Sequence, residues 1–185
     1  MIATLRPLTY DDLLEMPDDG QRREVLAGEL IVNPAPRRDY QEVAANLDWI
    51  LQRFFRSSGL GRVYTHPVDI YLGRSDIVQP DLVVIRDSRL DIYRPEGVVA
   101  EPPDIVIEIL SPSTRGIDLV RKMALYARTG IPEYWIADPE RRMLIINTLQ
   151  GEDYVSAELD ADGWLVSRVF PELRLDPAEV FTGLS

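Results

Sequence analysis

The chain has 185 residues, 45% of them hydrophobic and 28% charged, enough for one domain with a substantial core. It contains no cysteine, which excludes disulfide scaffolds, cysteine nucleophiles and thiolate metal sites. A net charge of −11 argues against broad nonspecific nucleic-acid binding, which depends on cationic surface. The segment 151–185 carries eight acids against Arg168 and Arg174, more than half of that charge. No apolar stretch approaches the ~18 residues of a membrane helix, and the first residues lack the basic start and apolar run of a signal peptide. A cytoplasmic protein with no membrane partner is the expectation.

In chain order, "PLTYDDLLEMPDD" predicts a short helix capped by Thr9, with Asp11 and Asp12 at its positive end. "RREVLAGELIVNP" holds two β-prone runs around Ala27-Gly28, the pattern of a hairpin. Apolar residues at 43, 47, 50, 51, 54 and 55, with Gly59 beyond them, predict an amphipathic helix and its stop. "RVYTHPVDIYL" and "PDLVVIR" read as strands, and "DSRLDIYRPEGVVAEPP" as a polar loop. A strongly apolar strand follows at about 104–110, then turn residues Ser111 to Thr114. The next element is a helix over 115–129, closed by Gly130 and Pro132. "EYWIAD" is the next strand, so strand, helix and strand imply a parallel crossover. "RRMLIINTLQGEDYVSAEL" predicts an antiparallel hairpin and "ADGWLVSRVF" a last strand or two. The order supports a single α/β domain over 1–185 with a mixed sheet.

Three residues do not fit this frame as ordinary packing. Side chains alternate along a strand, so Ile105, Ile107 and Ile109 share one face while Asp104, Val106, Glu108 and Leu110 share the other. Glu108 therefore lies among aliphatics, where an ionised carboxylate is costly unless it is paired or bound to a cation. It is either half of a buried salt bridge or a functional group. Asp81 opens the run "DLVVI", which suits turn chemistry and equally a ligand at a strand end. Asp104, after "EPP", reads as structural. If the strands of Asp81 and Glu108 are neighbours, the two carboxylates converge as a Mg²⁺ site requires.

The third is Lys122, the one lysine among 20 cationic side chains. Asp118, Lys122 and Tyr126 recur at i, i+4 and i+8 along one helix edge. An i,i+4 pair with Asp118, worth about 0.2–0.5 kcal/mol, would explain a cation there. Arginine would serve that pair equally well. The position therefore points to a need for a compact ammonium, a group able to release its proton as guanidinium is not. Tyr126 is either a core aromatic or a hydrogen-bonding neighbour of the same site. The basic pairs Arg22/Arg23, Arg37/Arg38, Arg121/Lys122 and Arg141/Arg142 are solvated faces or phosphate contacts.

"PDLVVI", "PDIVIEILSPSTR" and "DLVRKMALYARTGIPEYWIADP" together closely resemble the Uma-two family, formerly a domain of unknown function, in the PD-(D/E)XK nuclease superfamily. With "REVLAGELIVNPAP" and "PELRLDPAEVF" the resemblance spans roughly residues 8–182. It implies a restriction-endonuclease-like α/β fold, a central mixed sheet flanked by helices, with added β-hairpins. It also implies metal-dependent hydrolysis of DNA phosphodiester bonds by an assembly that is often a homodimer. Asp81 matches the acid of the PD motif, Glu108 the second acid, and Glu24 a further acid near the site. The E-x-K slot holds Leu110, and the resemblance has the following helix supply the lysine, at Lys122. Asp81, Glu108 and the Ile109 carbonyl would hold Mg²⁺ or Mn²⁺, with Lys122 positioning water or stabilising charge on the phosphate. Where relatives often have histidine after "NPAP", this chain has Asp39-Tyr40-Gln41.

Other chemistry finds little support. The sequence has no Walker loop, no G-x-S-x-G elbow and no G-x-G-x-x-G. Its single histidine, His66, precedes Pro67 and reads as a loop residue. Paired carboxylates also occur in glycosidases, but the lone lysine and the fold pattern do not suit one. The alternative to an enzyme is a non-catalytic nuclease-like module that binds DNA or protein, which the acidic charge favours.

Overall fold

A computed structural model describes residues 6–184. The described chain opens with a short helix α1 (Tyr10–Leu14), a hairpin of β1 (Arg22–Leu26) and β2 (Glu29–Asn33), and the long helix α2 (Arg38–Ser58). Four strands follow: β3 (Gly61–Thr65), β4 (Asp69–Gly73), β5 (Asp76–Val78) and β6 (Leu82–Arg86). A 3-10 segment over Asp87–Ile92 leads to the short β7 (Val98–Val99). The centre is β8 (Ile105–Ile109), a π-helical segment over Ile117–Lys122, α3 (Met123–Thr129) and β9 (Glu133–Asp138). The rest comprises β10 (Met143–Gln150), β11 (Asp153–Ser156), β12 (Leu165–Val166), β13 (Arg174–Leu175) and α4 (Pro177–Val180).

The main sheet has six strands in the order β11-β10-β9-β8-β6-β3. In it β8 and β9 run parallel, joined across the helical segment as the strand–helix–strand pattern predicts, and the other neighbours are antiparallel. Both faces are covered, so β6, β8 and β9 are apolar runs buried almost throughout. On one face Ile105, Ile107 and Ile109 pack with Val43, Leu47, Leu51 and Phe55 of α2. On the other, Val106 and Leu110 pack with Leu125 and Tyr126 of α3 and with Leu26, Ile70 and Val78. The last three come from a second, five-stranded sheet, ordered β2-β1-β5-β4-β7. The architecture is the mixed α/β fold with flanking helices and added hairpins that the sequence implies.

Three elements differ from expectation. The segment read as a polar loop over 87–103 holds the 3-10 segment and β7, which pairs with β4. The run 62–72 is not one strand: β3 belongs to the six-stranded sheet and β4 to the five-stranded one. Pro67 lies in the break, where a residue without an N–H cannot continue a ladder. The helix over 115–129 is not uniform either, being π-helical up to Lys122 and α-helical from Met123. Residues four apart drift round an α-helix in one sense, and the wider π turn offsets that drift. Asp118, Lys122 and Tyr126 consequently stay on one side, the side that meets Glu108.

The hairpin of β1 and β2 turns on two residues with positive φ, Ala27 (53°) and Gly28 (80°), the conformation of a tight two-residue connection. Gly28 also lies under Pro7, whose Cβ would stand 2.4 Å from a Cβ added at Gly28. The turn sets the register of β1, and a one-residue slip would turn Glu24 to the opposite face. Gly28→Ala is expected to lower stability by about 1–3 kcal/mol. A denaturant midpoint equal to that of the wild type would show that the turn does not hold the hairpin.

Candidate active site

The register Leu82↔Ile107 makes β6 and β8 neighbours, and Asp81 enters β6 one residue before Leu82. The Asp81 N–H donates to the Ile107 carbonyl at 3.1 Å, so Asp81 stands beside Glu108. Its carboxylate is fixed in turn. Oδ2 accepts the Ile109 N–H at 2.6 Å, and Oδ1 accepts Arg22 Nη1 at 2.6 Å and the Tyr40 hydroxyl. Ile109 thus meets the site through its backbone N–H.

Glu108 is reached from the other side. Its Oε1 accepts Lys122 Nζ at 2.9 Å and the Tyr126 hydroxyl at 2.7 Å. Its Oε2 lies 3.7 Å from Arg22 Nη2. Lys122 Nζ is also 2.9 Å from Glu24 Oε1 and 3.6 Å from Asp118 Oδ1. Glu24 is held by the Gln79 N–H at 2.7 Å and by Asn33 Nδ2 at 2.8 Å. Strand periodicity places Arg22 and Glu24, two residues apart, on the face of β1 that looks into the cluster. Arg23 looks the other way and pairs with Asp19.

The structure therefore brings Glu24, Asp81, Glu108 and Lys122 together, with Asp118 and Tyr126. All four acids and the lysine are 1–4% exposed. Arg22 and Tyr40 belong to the same cluster and were not legible as such. The signal for Arg22 lay in the period-2 run "RREVL", where it shares a face with Glu24; nothing in the sequence singled out Tyr40 beyond its place after "NPAP". Of the basic pairs, Arg121 bonds to Glu29 and the Leu26 carbonyl, Arg141 pairs with Asp138, and Arg142 donates to the Leu184 carbonyl.

Other buried acids are satisfied locally and are structural. Glu133 accepts Trp135 Nε1, Ser167 Oγ and the N–H groups of Arg168 and Val169, which ties the chain around β12 to the sheet. Asp138 holds Arg115 at 2.8 Å and caps the β9–β10 turn. Asp104 accepts the Arg86 N–H and lies near the guanidinium groups of Arg86 and Arg89.

Four carboxylates with only Lys122 and Arg22 as counter-charges leave an excess of negative charge in a buried place. Full burial, only partly offset by Lys122 and reinforced by Asp118, Asp81 and Glu24, pushes Glu108 up to about 8. Burial likewise raises Asp118. Lys122 shows the opposite balance for a cation: burial would strip its proton, but Glu108, Glu24 and Asp118 outweigh it and hold the proton more firmly. This corrects the reading of Lys122 as a group that releases its proton. What the position requires is a compact, persistent ammonium that fits among three carboxylates.

The family model described as "Uma2: Putative restriction endonuclease" matches residues 10–178. The chain belongs to the Uma2 family. A crystal structure described as a "putative nuclease belonging to DUF820", from Anabaena variabilis ATCC 29413, superposes with a TM-score of 0.80. The alignment covers 97% of this chain and 100% of that one at 22% sequence identity, a likeness of fold. No curated protein matches the sequence. Among the described residues no helix is long and apolar enough to cross a membrane.

Two predictions test the cluster. Lys122→Ala leaves three buried carboxylates without their main counter-charge and is expected to destabilise the fold by about 3–5 kcal/mol. Adding Glu108→Gln to that variant should recover part of the loss, measured as a double-mutant cycle by chemical denaturation. The second concerns pH. Glu108 binds its proton more tightly in the folded than in the unfolded state, so its contribution is complete below its unfolded value and declines as pH rises through about 8. Stability should fall between pH 5 and 9 in the wild type by more than in Glu108→Gln, and equal slopes would contradict this.

Proposed function

We propose that this member of the Uma2 family is a metal-dependent endonuclease that hydrolyses DNA phosphodiester bonds. The observation that carries the reading is the convergence of Asp81, Glu108 and Lys122, with the lysine delivered from the helix after β8. Leu110, in the slot where the simpler motif has its lysine, is buried among Val106, Leu125 and Tyr126. The ammonium nevertheless bonds Glu108.

The donor set suits a hard divalent cation. Asp81 and Glu108 offer carboxylate oxygens from adjacent strands, and the space between them already holds a cation, the Arg22 guanidinium. Among the described residues no group of three or more His, Cys, Asp or Glu side chains is arranged to hold a metal. Mg²⁺ does not need one, since it takes one or two carboxylates and completes its shell with water and phosphate oxygens. Asp81, Glu108 and the Ile109 carbonyl would hold Mg²⁺ or Mn²⁺, which when bound polarises the scissile phosphate and lowers the pKa of a bound water.

The chain's own groups do the positioning. The Ile109 N–H and the Tyr40 hydroxyl fix the Asp81 carboxylate. Lys122 and Tyr126 orient Glu108 through its Oε1, leaving Oε2 toward the Arg22 guanidinium. Glu108, Glu24 and Asp118 keep Lys122 charged, and that charge would stabilise the negative phosphate as it gains electron density. Holding the charged groups fixed before the substrate arrives avoids reorganisation during the reaction.

The test is cleavage of supercoiled, linear and single-stranded DNA with Mg²⁺ or Mn²⁺. Glu108→Ala and Lys122→Ala, shown folded by circular dichroism, should each lose about 100-fold or more in rate. Cleavage unchanged by both substitutions would remove the site assignment. No cleavage of any form, with no Mn²⁺ binding by calorimetry, would support a nuclease-like module that binds DNA or protein without cutting.

A further inference from the structure

Arg22 spans the two carboxylates from the adjacent strands, Asp81 and Glu108. Its Nη1 is 2.6 Å from Asp81 Oδ1 and its Nη2 is 3.7 Å from Glu108 Oε2, while Nη2 also donates to the Gln79 carbonyl. The other carboxylate oxygens are committed elsewhere. Asp81 Oδ2 takes the Ile109 N–H, and Glu108 Oε1 takes Lys122 and Tyr126. Asp81 Oδ1 also takes the Tyr40 hydroxyl beside Arg22. A cation shared by Asp81 Oδ1 and Glu108 Oε2 would stand where the guanidinium stands.

The hold of Arg22 on that position is incomplete. Its Nε is buried and makes no hydrogen bond, an orphaned donor that carries a desolvation cost. Its approach to Glu108 is a charge contact beyond hydrogen-bond length. Its side chain is 20% exposed, whereas Asp81 and Glu108 are each 2% exposed. Arg22 is also the first residue of β1, adjoining the loop over 15–21, so it can turn outward without breaking the ladder behind it.

From this geometry we propose that Arg22 is a resident counter-cation: it fills the divalent-ion position in the metal-free protein and is displaced when the ion binds. The proposal rests on the metal-dependent reading above. Its physical basis is that Asp81 and Glu108, when ionised side by side, require a cation, and the guanidinium supplies it. Metal affinity is then reduced in proportion to the fraction of molecules in which the position is open. Arg22 makes the folded free protein more stable and its metal binding weaker, opposite in sign to a residue that supports the ion.

The experiment is calorimetric titration of the full chain with Mn²⁺, comparing wild type, Arg22→Gln, Arg22→Lys and Glu108→Gln. Arg22→Gln should bind Mn²⁺ about tenfold more tightly. It should also melt at a lower temperature than the wild type without metal and gain more from added Mn²⁺. Arg22→Lys keeps the charge but loses the planar fork that spans both carboxylates. It too should bind more tightly than the wild type, and it stands in if Arg22→Gln does not fold. Tighter binding by Arg22→Gln with unchanged binding by Arg22→Lys would reduce the effect to charge alone and overturn the displacement. Equal or weaker binding by both would overturn it as well, as would a crystal structure with Mn²⁺ bound and the guanidinium still between Asp81 and Glu108. Binding by the wild type that is lost in Glu108→Gln keeps the metal reading whatever Arg22 does; no binding by any of the four proteins rejects both.

Discussion

Charge buried away from water must be matched by opposite charge and hydrogen bonds at short range, and in this protein that constraint acts at Lys122. The ammonium is 2% exposed and sits within 3.6 Å of carboxylates from Glu24, Glu108 and Asp118. Each partner comes from a different element: β1 of the five-stranded sheet, β8 of the six-stranded sheet, and the π-helical segment. The two sheets thus meet through an ion cluster as well as through apolar packing. Apolar contact tolerates small shifts of one layer over another. A desolvated ion pair does not, because separation without water restores neither solvation nor partner.

The same constraint accounts for the irregular backbone. A π turn is a poor choice for helix stability and is commonly found at functional sites. Here it carries Asp118 and Lys122 on the side that faces Glu108, with Tyr126 following in the α-helical part. The Tyr134 hydroxyl donates to the Asp118 carbonyl at 3.1 Å, so a main-chain acceptor in the π segment finds a partner from the sheet. The segment is supported by its surroundings, as a backbone irregularity must be to persist.

Buried acids in this chain do two different kinds of work, and counting donors separates them. Glu133 accepts four hydrogen bonds from nearby groups, Trp135, Ser167, Arg168 and Val169, and has nothing left to offer a ligand. Glu108 keeps one oxygen free of hydrogen bonds, 3.7 Å from Arg22 Nη2. In the sequence Glu133 opens "EYWIAD" and looks like a polar residue at a strand entrance, yet it is fully buried. An overall charge of −11 says nothing about either group, because both are removed from the surface where net charge acts.

Elements whose signal is local could be read from the residues directly. The period of the apolar residues in 43–55 produced α2, Gly59 ended it, and the aliphatic run 105–109 required a strand covered on both faces with Glu108 inside it. Composition singled out the sole lysine, and the resemblance to the Uma-two family tied it to the leucine in the E-x-K slot. Their surroundings depend on contacts between segments far apart in the chain. Arg22 and Tyr40 lie 59 and 41 residues from Asp81 along the chain, and their meeting depends on the register of a hairpin and the placement of a helix end. Such contacts also set the proton balance of Lys122, which no local pattern carries. Burial alone loosens that proton, and three carboxylates, two of them from distant segments, hold it in place.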